Sequence, residues 1–195
     1  MSTVLAPPGW ERAIDAAERV KERMRRATRA LDAAGVPYAV AGGNAVAEWV
    51  GRIDEDATRN TKDVDLLVRR EDFSAVQTVL EDVGFIYHNV MGVDAFIDGP
   101  KGKPSGGVHL LFAGEKLRTG DSHALPALEE SERGIGFQVV NLEALIKMKL
   151  LAHRLKDRVH ILDLIGVGLI DATWPARFPS PLDERLQQLL DNPDG

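Results

Sequence analysis

Residues 40–46 read Val-Ala-Gly-Gly-Asn-Ala-Val, and residues 61–68 read Thr-Lys-Asp-Val-Asp-Leu-Leu-Val. The first stretch has the pattern of a short buried strand that turns at two glycines into a helix. The second has the pattern of a strand that carries two carboxylates, Asp63 and Asp65. Because alternate side chains of a strand point to the same face, we expect these carboxylates to lie together, with Val64 in the core.

The two stretches together indicate a site for a phosphate chain and a divalent metal ion. A helix N-terminus carries unpaired N–H groups and partial positive charge, and glycines let the backbone approach a ligand closely. Paired carboxylates repel each other unless a cation lies between them, and Mg²⁺ takes such oxygen ligands. The alternative interpretations are an ordinary tight turn at the glycines and an exposed strand end with two solvated acids.

The composition limits the kind of protein. A chain of 195 residues with 44% hydrophobic and 28% charged residues is typical of one globular domain. The absence of cysteine excludes a disulfide framework, a thiolate zinc site and a cysteine nucleophile. No apolar run approaches the roughly 18 residues of a membrane span, and the N-terminus lacks a signal-peptide pattern. We therefore expect a soluble, cytoplasmic protein with no membrane partner.

Hydrophobic periodicity predicts an α+β fold. We expect a mixed sheet of about five strands flanked by helices, in a core over residues 1–140. A C-terminal helical segment over residues 141–195 is expected to pack alongside as part of the same globule. Helices are predicted at 10–34, 44–50, 70–83, 141–155, 157–165 and 182–190, and candidate strands at 38–41, 63–68, 85–90, 93–97, 108–113 and 136–140.

The first predicted helix carries a run of cations. One interpretation is a solvated helix face, and the other is a contact surface for nucleic acid or an acidic partner. The net charge of −6 argues against a broad nucleic-acid-binding surface. The cations are Lys21, Arg23, Arg25, Arg26 and Arg29.

In their order and spacing, the Gly-Gly pair before a helix and the Thr-x-Asp-x-Asp strand resemble the nucleotidyltransferase superfamily. Residues 145–157, Leu-Ile-Lys-Met-Lys-Leu-Leu-Ala-His-Arg-Leu-Lys-Asp, are similar to its small members, which include toxins of abortive-infection toxin–antitoxin pairs. The resemblance covers about residues 30–165. It implies an enzyme that transfers a nucleoside monophosphate from a nucleoside triphosphate such as ATP to a hydroxyl group. The acceptor is unknown and is a small molecule, an RNA or a protein.

The resemblance also implies a cofactor, a partner and roles for single residues. The cofactor is Mg²⁺, with Mn²⁺ as an alternative, and the partner is an antitoxin-type protein. Asp63 and Asp65 would bind the metal ion and act in catalysis. A set of further residues is implied to bind the nucleotide. These residues are Gly42, Gly43, Asn44, Thr61, Lys149 and Lys156. For the two lysines, Lys149 and Lys156, an ordinary position on a helix surface is an equal alternative.

One position departs from the family's pattern. The family often has a third carboxylate on a later central strand, where residues 107–112 offer His109. This imidazole is a candidate general base in place of the acid. The alternatives are a third carboxylate from Asp94 or Asp98, a structural histidine, and a protein that binds nucleotide without transferring it. Similarly, His160 stands three residues after Asp157, where the family often has another aspartate, with Asp163 beyond.

Overall fold

The computed structural model describes residues 9–90, 92–121 and 123–193, so residues 1–8 of the predicted core lie outside the described part. The helices are α1 (Gly9–Ala34), α2 (Gly42–Gly51), α3 (Phe73–Asp82), α4 (Leu142–Ala152), α5 (Leu155–Gly166) and α6 (Leu182–Asp191). The strands are β1 (Ala39–Ala41), β2 (Val64–Val68), β3 (Phe85–Val90), β4 (Val93–Asp98), β5 (Val108–Phe112), β6 (Ser131–Arg133) and β7 (Gln138–Val140). Short 3-10 turns lie at Arg70–Asp72, Pro104–Gly106 and Pro175–Arg177.

The strands form one mixed sheet in the order β3-β4-β5-β2-β1-β7-β6. Strand β2 lies at its centre, antiparallel to β1 and parallel to β5. In this register Asp65 lies opposite Ala41 on one side and opposite His109 on the other. Because Ala41 directly precedes α2, the sheet brings the glycine turn, the aspartates and His109 to one place.

The predicted α+β class with a mixed sheet and flanking helices is confirmed, but the sheet has seven strands in the described residues rather than about five. One of the additional strands, β6, pairs antiparallel with β7 at the edge of the sheet. Its three residues are Ser131, Glu132 and Arg133, and none is buried. A polar edge strand has no apolar alternation, so the hydrophobic pattern did not indicate it.

Two helices are predicted over residues 141–155 and 157–165, and the break between them lies earlier than predicted, at His153 and Arg154. Asn141 caps α4 as predicted, with its side chain accepting a hydrogen bond of 2.8 Å from the backbone N–H of Ala144. The helix ends at Ala152, because His153 adopts the left-handed conformation with φ of 45°. Helix α5 then starts with the carboxylate of Asp157 accepting from the backbone N–H of Arg154. The break separates α4 from α5, and the two helices pack against each other.

A single cluster of buried side chains runs from α1 to α6. It includes Leu31 of α1, Leu66 of β2, Leu145 of α4 and Leu186 of α6, each 0% exposed. Val64, predicted to lie in the core, is also 0% exposed. The C-terminal helices pack against one another and on α2, which holds the glycine turn between sheet and helices. Among the described helices, none has the length and apolarity needed to cross a membrane.

Candidate active site

Three titratable side chains meet beside the start of β2. Nδ1 of His109 lies 3.6 Å from Oδ1 of Asp65 and 3.8 Å from Oδ2 of Asp63. One ligand atom of each residue lies within 4.8 Å of the others. The side chains are 20–22% exposed, so an ion from solvent can reach them. The two carboxylates therefore share one face, and an imidazole completes a set of three possible metal ligands.

The residues around Asp63 hold its side chain and backbone. The hydroxyl of Thr61 donates to Oδ1 of Asp63 at 2.8 Å, and the amide of Asn44 donates to the Asp63 carbonyl at 2.8 Å. Burial favours the neutral carboxyl, but the Thr61 hydroxyl and the charge of Lys156 outweigh it and lower the pKa of Asp63. Asn44 and Thr61, predicted to contact the nucleotide, thus contact Asp63.

The glycine turn lies very close to the side chains of Asp65 and Thr61. Gly42 has φ of +65°, and a Cβ there would overlap the carboxylate of Asp65. A Cβ on Gly43 would lie 2.9 Å from the hydroxyl oxygen of Thr61. No side chain caps the N-terminus of α2, and its first turn has no acidic residue. Its N–H groups are thus available to an anion next to Asp65.

His109 is oriented by a backbone carbonyl. Its Nε2 lies 2.7 Å from the carbonyl oxygen of Pro104, and its Nδ1 faces the two aspartates. The adjacent carboxylate of Asp65 raises the pKa of His109, and burial only partly opposes it. His109 is therefore part of the acidic cluster rather than a separate core histidine.

The corner between α4 and α5 contributes a buried ion pair. Nζ of Lys149 lies 3.3 Å from Oδ1 of Asp157, and Nε of Arg154 lies 2.7 Å from Oδ2. Burial lowers the pKa of Lys149, while the charges of Asp157 and Asp65 oppose the change. Lys149 is not a surface lysine, whereas Lys156 is exposed. Sequence reasoning gave Arg154 and Asp157 no role in the site, although both belong to the stretch of residues 145–157 that carries the family resemblance.

These elements line one cavity of about 440 Å³. The cavity is lined by the metal-ligand cluster, by Gly42 and by residues at the corner of α4 and α5. Its lining also includes Arg70, Asp94 and Glu115, with apolar neighbours such as Val93, Leu117 and Leu125. A volume of this size suits a small-molecule or cofactor ligand.

The fold is similar to solved structures of nucleotidyltransferases. The antibiotic-resistance factor ANT(2'')-Ia matches with a TM-score of 0.57 in its solution structure, at 15% identity over 91% of this chain and 93% of that chain. Its crystal structure in complex with adenylyl-2''-tobramycin also gives 0.57, at 14% identity over 88% of this chain and 98% of that chain. An antigenic nucleotidyltransferase-like protein from Paracoccidioides brasiliensis gives 0.57, at 19% identity over 92% of this chain and 91% of that chain. This chain has the nucleotidyltransferase fold.

The predicted resemblance to the nucleotidyltransferase superfamily is thus confirmed in the fold. No protein-family model matches the chain, and no curated protein matches its sequence. At identities this low the likeness shows the fold alone.

In this nucleotidyltransferase fold, the two alternative sources of a third carboxylate have other partners. Asp94 lines the cavity but accepts hydrogen bonds from the hydroxyl of Tyr87 and the amide of Asn89, at 2.6 and 2.8 Å. Asp98 pairs with two cations of α1, Arg23 and Arg26. Neither acid is a member of the metal-ligand cluster found in the described residues. His109 is thus the residue that stands beside Asp63 and Asp65.

Several cations of α1 have partners within the fold. Arg23 and Arg26 bind Asp98, and the guanidinium of Arg26 lies 4.4 Å from the ring centre of Phe85. Lys21 pairs with Glu18 at 3.1 Å on the exposed face of the helix. At least part of the cationic run therefore holds α1 against the β4 end of the sheet.

The nucleotidyltransferase fold also shows two features that sequence reasoning did not place. Arg70 stacks on Phe112, with its guanidinium 3.2 Å from the ring centre, and donates two hydrogen bonds to Glu115. His160 faces the charge of Lys149, and burial followed by that charge lowers the pKa of His160 to about 4. The position three residues after Asp157 therefore holds an uncharged imidazole at neutral pH.

Proposed function

We propose that the protein transfers a nucleoside monophosphate from a nucleoside triphosphate to a hydroxyl group, with a divalent metal ion as cofactor. The observation that carries the proposal is the meeting of Asp63, Asp65 and His109 with the uncapped N-terminus of α2 in one cavity. The fold supports it, because ANT(2'')-Ia, which shares the fold, has been crystallised with an adenylylated aminoglycoside.

The donor set fits a divalent ion. Two carboxylates and an imidazole offer ligand atoms within 4.8 Å of one another, and the absence of a side chain at Gly42 leaves the carboxylate of Asp65 its space. Asp63 and Asp65 would hold the ion, with Mg²⁺ or Mn²⁺ as the candidates. When bound, such an ion neutralises charge on the phosphates and on the departing pyrophosphate.

The triphosphate is proposed to lie between the N-terminus of α2 and the corner of α4 and α5. The N–H groups at Gly42 and Gly43 and the exposed ammonium of Lys156 bind phosphate oxygens. Asn44 and Thr61 act through Asp63, since their hydrogen bonds fix its position. Lys149 acts mainly by holding Asp157, and its buried charge adds positive potential to the cavity.

In the proposed reaction, the acceptor oxygen forms a bond to the α-phosphorus. The bond between this phosphorus and the oxygen that bridges to the β-phosphorus breaks, and pyrophosphate leaves. The hydroxyl proton passes to Asp65 or to His109, the two basic groups beside the reacting atoms. We place the acceptor beside Arg70, Asp94 and Glu115, which line the same cavity.

Two labelled triphosphates test the reaction type. The protein is incubated with Mg²⁺, a cell extract and each nucleoside triphosphate in turn, labelled on either the α- or the γ-phosphate. We expect transfer of the α-label to an acceptor and release of the γ-label in pyrophosphate. Transfer of the γ-label alone would show a phosphoryl transfer and contradict the proposal.

The histidine in place of a third acid favours a second candidate, a nucleotide-binding module without transferase activity. Melting with and without nucleotide and metal ion separates the two. A ligand at about 100 times its dissociation constant stabilises a fold by roughly 2.7 kcal/mol. Stabilisation without transfer of label favours the binding module, and no stabilisation by any nucleotide contradicts both candidates.

A further inference from the structure

We propose that His109 binds the metal ion through Nδ1 and makes the centre selective for first-row transition ions, Mn²⁺ among them, over Mg²⁺. The inference names the ion of the proposed active site and rests on the proposed function only in that the site binds a cation. Its evidence is the orientation of one ring and the backbone that fixes it.

The ring of His109 presents its lone pair to the aspartates. Nε2 lies 2.7 Å from the carbonyl oxygen of Pro104. A carbonyl oxygen only accepts hydrogen bonds, so Nε2 carries the hydrogen, and in the neutral ring Nδ1 carries the lone pair. Metal-binding histidines commonly donate their other N–H to a carbonyl in this way, which fixes both the tautomer and the ring.

The carbonyl that orients His109 belongs to the same backbone unit as the aspartates. The backbone N–H of Gly107 donates to Pro104, and the carbonyl of Gly107 accepts from the N–H of Val64, each at 3.0 Å. Val64 lies between Asp63 and Asp65 in the chain. A Cβ on Gly107 would lie 2.5 Å from the carbonyl oxygen of Phe96, so this turn packs closely against β4. One hydrogen-bonded unit thus positions all three side chains.

The separations suit a shared ion better than a direct bond. The distances of 3.6 and 3.8 Å from Nδ1 to the carboxylates are longer than a hydrogen bond. Ligand atoms that share an ion at about 2.1 Å lie roughly 3 Å apart in octahedral geometry. A closure of less than about 1 Å would therefore bring Nδ1 to this spacing from each carboxylate oxygen.

The nitrogen ligand decides the preference. Mg²⁺ is a hard ion that takes oxygen ligands. An imidazole ligand instead strengthens the binding of first-row transition ions relative to Mg²⁺. Mn²⁺ accepts both carboxylates and a nitrogen. When Nδ1 of His109 binds the ion, its lone pair cannot take the proton of the acceptor's hydroxyl group. Asp65 is then the base that takes this proton in the proposed reaction.

Equilibrium binding of Mn²⁺ to the metal-free protein, without nucleotide, tests the inference. Free Mn²⁺ is measured by electron paramagnetic resonance, Mg²⁺ is added as competitor, and the bound ion is examined by spin-echo spectroscopy for coupling to ¹⁴N. We expect ¹⁴N coupling in the wild type. In His109→Asp, which gives three carboxylates, we expect loss of coupling and a fall of about tenfold in the preference for Mn²⁺ over Mg²⁺. The control His88→Asp, at an exposed position of β3, is expected to leave both unchanged.

Absence of ¹⁴N coupling in the wild-type Mn²⁺ complex would overturn the inference, and this measurement needs no variant to fold. An unchanged preference in a folded His109→Asp would overturn it as well. The outcome is separate from that of the proposed function. Coupling without transfer of label would contradict the transferase alone, and transfer with no coupling would contradict the histidine ligand alone.

Discussion

Nζ of Lys149 lies 3.3 Å from Oδ1 of Asp157, and the two side chains are only 6% and 1% exposed. They come from consecutive helices, and Arg154 gives the same carboxylate a second cationic donor. Burial favours the neutral acid, but the hydrogen bond from Arg154 and the charge of Lys149 outweigh it and lower the pKa of Asp157. The pair therefore fixes the corner of α4 and α5 beside the metal-ligand cluster.

Removal of one partner should destabilise this corner strongly. In Asp157→Asn the buried ammonium of Lys149 loses its counter-charge, and we expect a loss of about 3–5 kcal/mol in the free energy of unfolding by urea. The control is Asp163→Asn, which removes an ion pair with the exposed Arg59 and should cost less than about 1 kcal/mol. Equal, small losses in both variants would contradict a structural role for the buried pair.

Gly42 should be required for more than its backbone conformation. Gly42 and Gly35 have nearly the same φ, +65° and +66°, but a Cβ on Gly35 meets no atom within 4 Å. Substitution by alanine should cost each about 1–2 kcal/mol from the left-handed conformation. Only Gly42→Ala also displaces the carboxylate of Asp65, so it should lose stabilisation by nucleotide and metal ion in melting experiments, while Gly35→Ala keeps it. Loss in both variants, or in neither, would contradict the close approach.

The hydroxyl of Thr61 should support metal binding through Asp63. In Thr61→Val the hydrogen bond to Oδ1 of Asp63 is lost in a side chain of the same shape, and we expect the affinity for divalent ions to fall by about 10-fold or more. Thr61→Ser keeps the hydroxyl and should bind ions like the wild type. Calorimetric titration of the metal-free protein measures both. Equal affinity in Thr61→Val and the wild type would show that the hydrogen bond does not matter for the site.

The sequence predicted the centre of the fold because local signals and burial agree there. In residues 40–46, the two glycines after a short apolar run indicate a strand followed by a turn. In Asp63-x-Asp65, the alternation of acidic and apolar residues indicates a strand with both carboxylates on one face. Strand β6 has no such signal, since Ser131, Glu132 and Arg133 pair at an edge where no face is buried. The end of α4 was not predicted either, because no local residue pattern indicates the left-handed conformation of His153.

The candidate site was predictable where its residues are close in sequence or match the family's pattern. Asp63 and Asp65 lie on one strand, and His109 was found because its strand aligned with the family's pattern. The ion pair of Lys149 and Asp157 depends on the angle between two helices, which follows from tertiary packing. The network of Arg70, Asp94 and Glu115 joins three separate segments. Residues that are brought together from distant segments form no motif of fixed spacing in the sequence.

His160 should make stability depend on pH in a defined window. Burial and the charge of Lys149 lower its pKa from 6.5 to about 4, so in this interval the unfolded chain binds the proton and the folded chain does not. The stabilisation is therefore complete above about pH 6.5 and is lost as the pH falls toward 4. We expect the free energy of unfolding to fall by about 1–2 kcal/mol. This is less than the full change in the pKa of His160 implies, because the ring keeps some contact with solvent.

Urea unfolding at pH 4.5 and pH 7 measures this loss. His160→Gln removes the titrating ring, so its stability should change less between the two pH values than that of the wild type. The control His88→Gln, at an exposed position, should follow the wild type. An unchanged pH dependence in His160→Gln would show that another group is responsible.

The central claim is that Asp63 and Asp65 hold the metal ion that supports nucleotidyl transfer, and the α-label assay tests it most directly. The double variant Asp63→Asn/Asp65→Asn is compared with wild type and with Asp82→Asn, which changes an exposed acid at the end of α3. We predict transfer by the wild type and by Asp82→Asn, and a loss of at least about 100-fold in the double variant, as expected when groups that stabilise transferred charge are removed. Equal transfer by the folded double variant and the wild type would contradict the account.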